Sequence, residues 1–97
     1  MPQITVVARI LAKRESADHV QEQFMRLIDP TVNNDEGCIN YIFYQDNDDP
    51  ALFYFLEEWE SRELLDRHSN SPHVQACRKN TAGMIEDFQV NVLTKIR

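Results

Sequence analysis

The sequence predicts an α+β domain of the ferredoxin-like, split β-α-β type, with elements in the order strand, helix, strand, strand, helix, strand and a single antiparallel sheet. Three observations predict it. Residues 3–12 and 88–97 alternate apolar and polar or mixed positions, residues 38–59 form an aromatic-rich hairpin around a turn cluster, and a serine-led amphipathic stretch lies between each outer strand and that hairpin. With 97 residues the chain has room for one domain, 1–97, and one core.

Ile4, Val6, Ala8 and Ile10 alternate with Thr5, Val7, Arg9 and Leu11, the period of a strand, here with two largely apolar sides. Ser16 is placed to cap a helix, Asp18 falls in its first turn, and Val20, Phe24, Leu27 and Ile28 make one apolar stripe. Pro30 lacks a backbone donor, so this helix is expected to kink or end near it, before a turn at Glu36-Gly37. Cys38 to Gln45 and Leu52 to Trp59 are rich in aromatic and β-branched residues and flank Asp46-Asn47-Asp48-Asp49-Pro50, which makes them a hairpin. Ser61 is placed to cap a short helix presenting Leu64, Leu65 and His68. Ser71-Pro72 then restarts the helix, with serine as cap and proline at the first helical position, and Val74, Cys77, Thr81 and Met84 face inward. Phe88, Val90, Val92, Thr94 and Ile96 alternate with polar residues and predict a last strand with one wetter face. Both helices are expected on one side of the sheet.

Composition narrows the function classes. The net charge is −6 and the ten basic residues are scattered from Arg9 to Arg97, so a polyanion is repelled and nucleic acid is excluded as a partner. No apolar run approaches the roughly 20 residues that cross a bilayer, and the N-terminus shows no secretion signal, so a cytoplasmic location without membrane association is expected. Cys38 and Cys77 are accordingly expected to be reduced thiols.

Two helices cover one face of a four-stranded sheet, yet the hairpin is apolar on both: Phe53, Phe55 and Trp59 on one side, Leu52, Tyr54 and Leu56 on the other. A second copy across a two-fold axis is the simplest cover for the open face, so a homodimer is expected.

The sequence contains no phosphate loop, no nucleophile elbow and no paired zinc-ligand motif. Glu57 and Trp59 share strand parity with Phe53 and Phe55, and Ile39, Tyr41 and Phe43 share a face on the neighbouring strand, a set able to wall a pocket for a flat aromatic ligand. His68 follows Leu64 and Leu65 by four and three residues and points inward with them, which makes it the candidate general base. His73 and Cys77 share a helix face and His68 lies just upstream, but no third or fourth ligand is spaced at matched geometry, so no metal is expected. Glu57 and Glu58 lie on opposite strand faces, and at least one of them is expected in solvent or paired with a base such as Arg9.

Taken in order, Leu27-Ile28-Asp29-Pro30-Thr31, Glu36-Gly37-Cys38, Glu57-x-Trp59-Glu60-Ser61 and His68-Ser69-Asn70-Ser71-Pro72-His73 resemble the antibiotic biosynthesis monooxygenase family over nearly the whole chain. The resemblance implies a dimeric α/β barrel with a pocket between sheet and helices in each subunit. It also implies a cofactor-independent oxygenase that uses dioxygen on a quinol or polyphenol, with Trp59 lining the pocket. This chain departs from the antibiotic-pathway oxygenases in carrying Phe55 where they have an asparagine and Leu65 near a tyrosine position. It lacks the strand-one asparagine of haem-degrading relatives, and it shares Pro72 and His73 with a relative that isomerises a phosphorylated sugar.

The reading that follows is a dimeric oxygenase of a quinol-like small molecule. His68 is its base, and Tyr41, Phe43, Phe55, Trp59, Leu65 and His73 surround the substrate. The alternatives are an isomerase that binds its substrate's phosphate through Arg78 or Lys79, and a ligand-binding dimer module without catalysis.

Overall fold

The computed structural model describes residues 2–97. The N-terminal alternation forms β1 (Ile4–Ala12), whose odd and even positions differ as the pattern predicts: Ile4, Val6, Ala8, Ile10 and Ala12 are buried, and the residues between them are half-buried. A single 3-10 turn (Arg14–Ser16) leads into α1 (Ala17–Met25) and α2 (Ile28–Asn34). The hairpin is β2 (Cys38–Gln45) and β3 (Leu52–Trp59), followed by α3 (Arg62–Ser69), α4 (Pro72–Asn80) and β4 (Ile85–Leu93).

The four strands pair antiparallel in the order β2-β3-β1-β4. The register places Ile4, Val6, Ala8 and Ile10 opposite Trp59, Glu57, Phe55 and Phe53, so the apolar positions of both central strands share the helix-covered face. Phe24 and Val20 of α1, Leu27, Leu65 of α3 and Cys77 of α4 complete that core.

Several expectations are corrected. Ser16 precedes α1 but makes no capping bond, because the 3-10 turn holds its backbone outside the extended conformation a cap needs. Ser61 and Ser71 do cap, accepting from the backbone N–H groups of Leu64 and Val74 at 3.3 and 3.4 Å. The first helix breaks at Arg26-Leu27, ahead of Pro30, which instead sits in the first turn of α2 where no intrahelical donor is required. The last strand runs from Ile85 to Leu93, so Thr94 and Ile96 lie beyond it.

The expected sharing of a face by Ile39, Tyr41 and Phe43 also fails at its first member. Cys38 pairs with Trp59 and Asn40 with Glu58, leaving Ile39 as an extra residue in a β-bulge. The bulge turns Cys38 toward the core and Ile39 outward, where 44% of its surface is exposed. Before it, Gly37 takes φ +85°, and a Cβ there would clash with Leu64 Cδ1. The glycine therefore lets the strand start pass directly beneath α3.

Candidate active site

The centre of the site is an interaction the sequence reading missed. Asp35 ends the α2 segment, and its Oδ2 accepts hydrogen bonds from His68 Nδ1 at 2.7 Å and from His73 Nε2 at 2.8 Å. An ionised carboxylate can only accept, so each imidazole presents an N–H to it. The two histidines reach Asp35 because the cap and proline at Ser71-Pro72 turn the chain between α3 and α4, placing His68 near one helix end and His73 near the next helix start. The ring centroids of the two histidines are 6.0 Å apart.

His68 is buried, and its ring lies against Trp59 at 4.7 Å and Tyr41 at 5.3 Å between centroids. Burial lowers its pKa from 6.5, and the hydrogen bond and charge of Asp35 offset part of that effect. His68 is therefore neutral at pH 7, with Nε2 free to accept a proton. A cleft of about 230 Å³ is lined by His68, Asp35, Asn34, Glu36, Leu64 and Arg67. A second, of about 210 Å³, is lined by His73 together with Cys77, Gln23 and Asn80.

The residues expected to wall a cavity are brought together, but as a stack. Tyr41 and Phe55 stack at 4.6 Å, Phe43 and Phe55 at 4.5 Å, and Tyr41 meets Trp59 edge-on at 6.5 Å. Trp59 is fully buried, with Phe55 and Tyr41 nearly so, and these rings occupy the space the sequence reading left for a ligand between Trp59 and His68. Leu65 lies buried on the inner side of α3, and His73 is half-buried at the entrance to α4.

The two glutamates lie on opposite sheet faces as expected, with Glu58 toward solvent. Glu57 is buried beside Trp59 and accepts its indole N–H at 2.9 Å, and burial pushes its carboxyl up to about 7. Glu58 instead accepts from Gln3 and Asn40, while Arg9 pairs with Asp87 of β4 at 3.1 Å. Arg9 and Asp87 meet because β4, not β2, flanks β1 on that side. Burial raises the thiols of Cys38 and Cys77 to about 11, and both are free. Tyr41 is likewise raised, by burial and then by Glu57.

Asp35, His68 and His73 also form a potential metal-donor set, their ligand atoms all lying within 4.8 Å of one another. Spacing along the chain brings His68, His73 and Cys77 near one another but offers no further ligand, which is why no metal is expected from sequence. The third donor comes from an element 33 residues before His68. Its one local signal is an acid placed just before the Glu36-Gly37 turn.

The sequence pattern of the antibiotic biosynthesis monooxygenase family matches residues 3–80, most of the chain, and the chain belongs to that family. It is similar to sll1783 of Synechocystis, with 31% identity over 70 residues and 72% of this chain covered, and it spans about half of that relative, 47%. It is 27% identical over 100 residues to the probable quinol monooxygenase YgiN of Escherichia coli K12, a match covering 93% of this chain and 95% of that protein. The crystal structure of PA3566 from Pseudomonas aeruginosa superposes with a TM-score of 0.93 at 25% identity, covering 100% of this chain and 97% of that one. Membership and likeness together support a monooxygenase class for the chain. Among the described residues, no helix is long and apolar enough to cross a membrane.

Proposed function

We propose that this protein oxidises a small quinol-like phenol with dioxygen and no resident cofactor, using His68 as the general base. The observation that carries this reading is the 2.7 Å bond from His68 Nδ1 to Asp35, which fixes the tautomer that leaves Nε2 able to take a proton. His68 Nε2 removes the phenolic proton, and the resulting electron-rich anion reduces dioxygen. Dioxygen bonds to a ring carbon as a peroxide, and that carbon then loses its hydrogen as a proton while the O–O bond breaks to leave a new C=O. The distal oxygen departs as water with that proton and the one His68 took, so quinol and dioxygen give a hydroxyquinone and water.

The substrate approaches along the cleft beside Asp35 and Leu64, which suits a one-ring or fused two-ring phenol. Trp59 and Tyr41 hold the imidazole in place, Phe55 stacks on Tyr41 and Phe43 on Phe55, Leu65 belongs to the same buried core, and His73 shares the orienting carboxylate. Likeness to a probable quinol monooxygenase over nearly the full chain supports the substrate class. The isomerase alternative needs a phosphate-binding cation beside the base. Arg78 lines a separate cleft, with Phe24 and Phe88, while its charge still reaches His68, so an anaerobic assay with a phosphorylated sugar separates the two readings.

The same reading makes the active form a homodimer. Ile42, Tyr44, Leu56 and Leu93 are all at least 40% exposed on the sheet face that carries no helix. A twin packed there buries them. The decisive assay is oxygen uptake across a panel of hydroquinones and naphthohydroquinones. Uptake by wild type that His68→Gln abolishes is expected, and no uptake above buffer by wild type on any member of the panel sinks the proposal.

A further inference from the structure

We propose that Asp35, His68 and His73 bind one divalent transition-metal ion, through Asp35 Oδ2, His68 Nδ1 and His73 Nε2. Three elements deliver these atoms to one point: the end of the α2 segment, the last turn of α3 and the first turn of α4. Asp35 Oδ2 is already 2.7 and 2.8 Å from the two nitrogens, and all three donors fall within 4.8 Å of one another. Around an ion with bonds of about 2.0–2.2 Å, neighbouring ligands stand about 3.0–3.5 Å apart. Each hydrogen bond therefore has to open by roughly half an ångström to admit the ion.

The donor chemistry selects the class of ion. Two imidazoles and one carboxylate suit zinc, cobalt, nickel or ferrous iron, whereas magnesium and calcium take oxygen ligands almost throughout. Charge points the same way. Among the described residues, the ion-pair partners of Asp35 are the two imidazoles of the same donor set. Among the described residues no Lys or Arg nitrogen is paired with this carboxylate, and Arg67, which lines the adjoining cleft, is paired with Glu36 and Glu63 instead. The neighbouring cleft of about 230 Å³ gives the ion a way in and room for water as a further ligand. The rings of Trp59 and Tyr41 against His68 hold one imidazole at a set angle before any ion arrives.

Metal binding has a defined proton balance. The hydrogen on His68 Nδ1 and that on His73 Nε2 each move, through solvent, to the other nitrogen of the same ring, while Nδ1 and Nε2 donate their lone pairs to the ion. His68 Nε2 then carries a hydrogen and no longer accepts one. The metal-loaded state is thus incompatible with His68 as base, and this inference stands apart from the proposed oxidation.

The test uses the full chain, stripped with a chelator and returned to chelator-free buffer, with Co²⁺ alone as the probe. Calorimetry and visible absorption are expected to show saturable binding of one Co²⁺ per chain. Asp35→Asn and His73→Gln should each weaken it about tenfold or more, a loss of the size expected when a metal site is perturbed. Cys77→Ser and His19→Gln should leave it within about twofold, and circular dichroism checks that each variant is folded. Absence of saturable binding at millimolar Co²⁺, binding unchanged by Asp35→Asn and His73→Gln, or binding lost in Cys77→Ser overturns the proposal. Oxygen uptake by the metal-free chain judges the oxidation separately. Zinc bound at this site with uptake undiminished leaves the metal site standing and removes His68 as the base.

Discussion

Trp59 donates its indole N–H to Glu57 Oε1 across 2.9 Å inside the apolar core, two positions along the same strand. No cation pairs with this carboxyl among the described residues, and burial moves its pKa from 4.5 to about 7. Between those values the folded state keeps a proton that the unfolded chain has released, so stability falls as pH rises through this window. The contribution from Glu57 is fully present below pH 4.5 and gone above about 7. The displacement corresponds to about 3 kcal/mol. Glu57→Gln keeps an acceptor for the indole and removes the charge. Urea denaturation should show the variant losing this slope and exceeding wild type, by up to about 3 kcal/mol, on the alkaline side of neutrality. An unchanged slope would assign the effect to another group.

Gly37→Ala should cost about 2–3 kcal/mol, because positive φ penalises any side chain and the new Cβ meets Leu64. Gly83 provides the control. It has φ +78° but open space around it, so Gly83→Ala should cost about 1 kcal/mol from the backbone alone. Equal losses for the two variants in chemical denaturation would mean that Leu64 yields freely and that Gly37 does not set the position of α3.

The strand parities of β1 and β3 were readable because period-two patterns depend only on neighbours along the chain. That reading put Glu57 with Phe53, Phe55 and Trp59, where the structure has it. The bulge at Ile39 was not readable in this way, since one inserted residue flips the face of everything before it without changing the composition. His68 was legible as an inward histidine from its helical spacing to Leu64 and Leu65. Asp35 was not, because its partners lie 33 and 38 residues away on other elements, and such separations carry no periodic signal. The filling of the aromatic stack was hidden for a related reason. Parity tells which rings share a face, but their contact distances follow from packing.

For the proposed oxidation, kcat/KM should rise with pH to a midpoint below 6.5, because the base must be neutral and burial lowers the His68 pKa. The same shift affects folding. Below pH 6.5 the unfolded histidine takes up a proton that the buried ring resists, so this group's stabilisation is present above 6.5 and is lost as pH falls through its lower folded pKa. Asp35→Asn removes the partner that raises the His68 pKa and fixes its tautomer. The rate should fall about 10²-fold, with the midpoint moving further down. Imidazole nitrogen chemical shifts report the tautomer directly. A rate limb that stays in place in both Asp35→Asn and His68→Gln would show that neither residue governs the proton transfer.

Ile42 and Leu56 are direct partners across β2 and β3, and both side chains stand about half exposed on the helix-free face. Single subunits rarely leave a contiguous apolar sheet face in water, and burying about 800 Å² on each partner yields roughly 20 kcal/mol of gross apolar driving force. That exceeds most estimates of the association cost. Replacing both residues by lysine puts two ammonium groups side by side at the proposed interface while leaving the helix-side core untouched. Sedimentation at micromolar concentration should give a dimer for wild type and a folded monomer for the double variant, with unchanged far-ultraviolet circular dichroism. If wild type itself sediments as a stable monomer, the open face needs no twin. If the double variant still dimerises, the two copies meet through other residues. Phe88 and Val90, exposed on the helix-side face of the edge strand β4, would then be the next place to look.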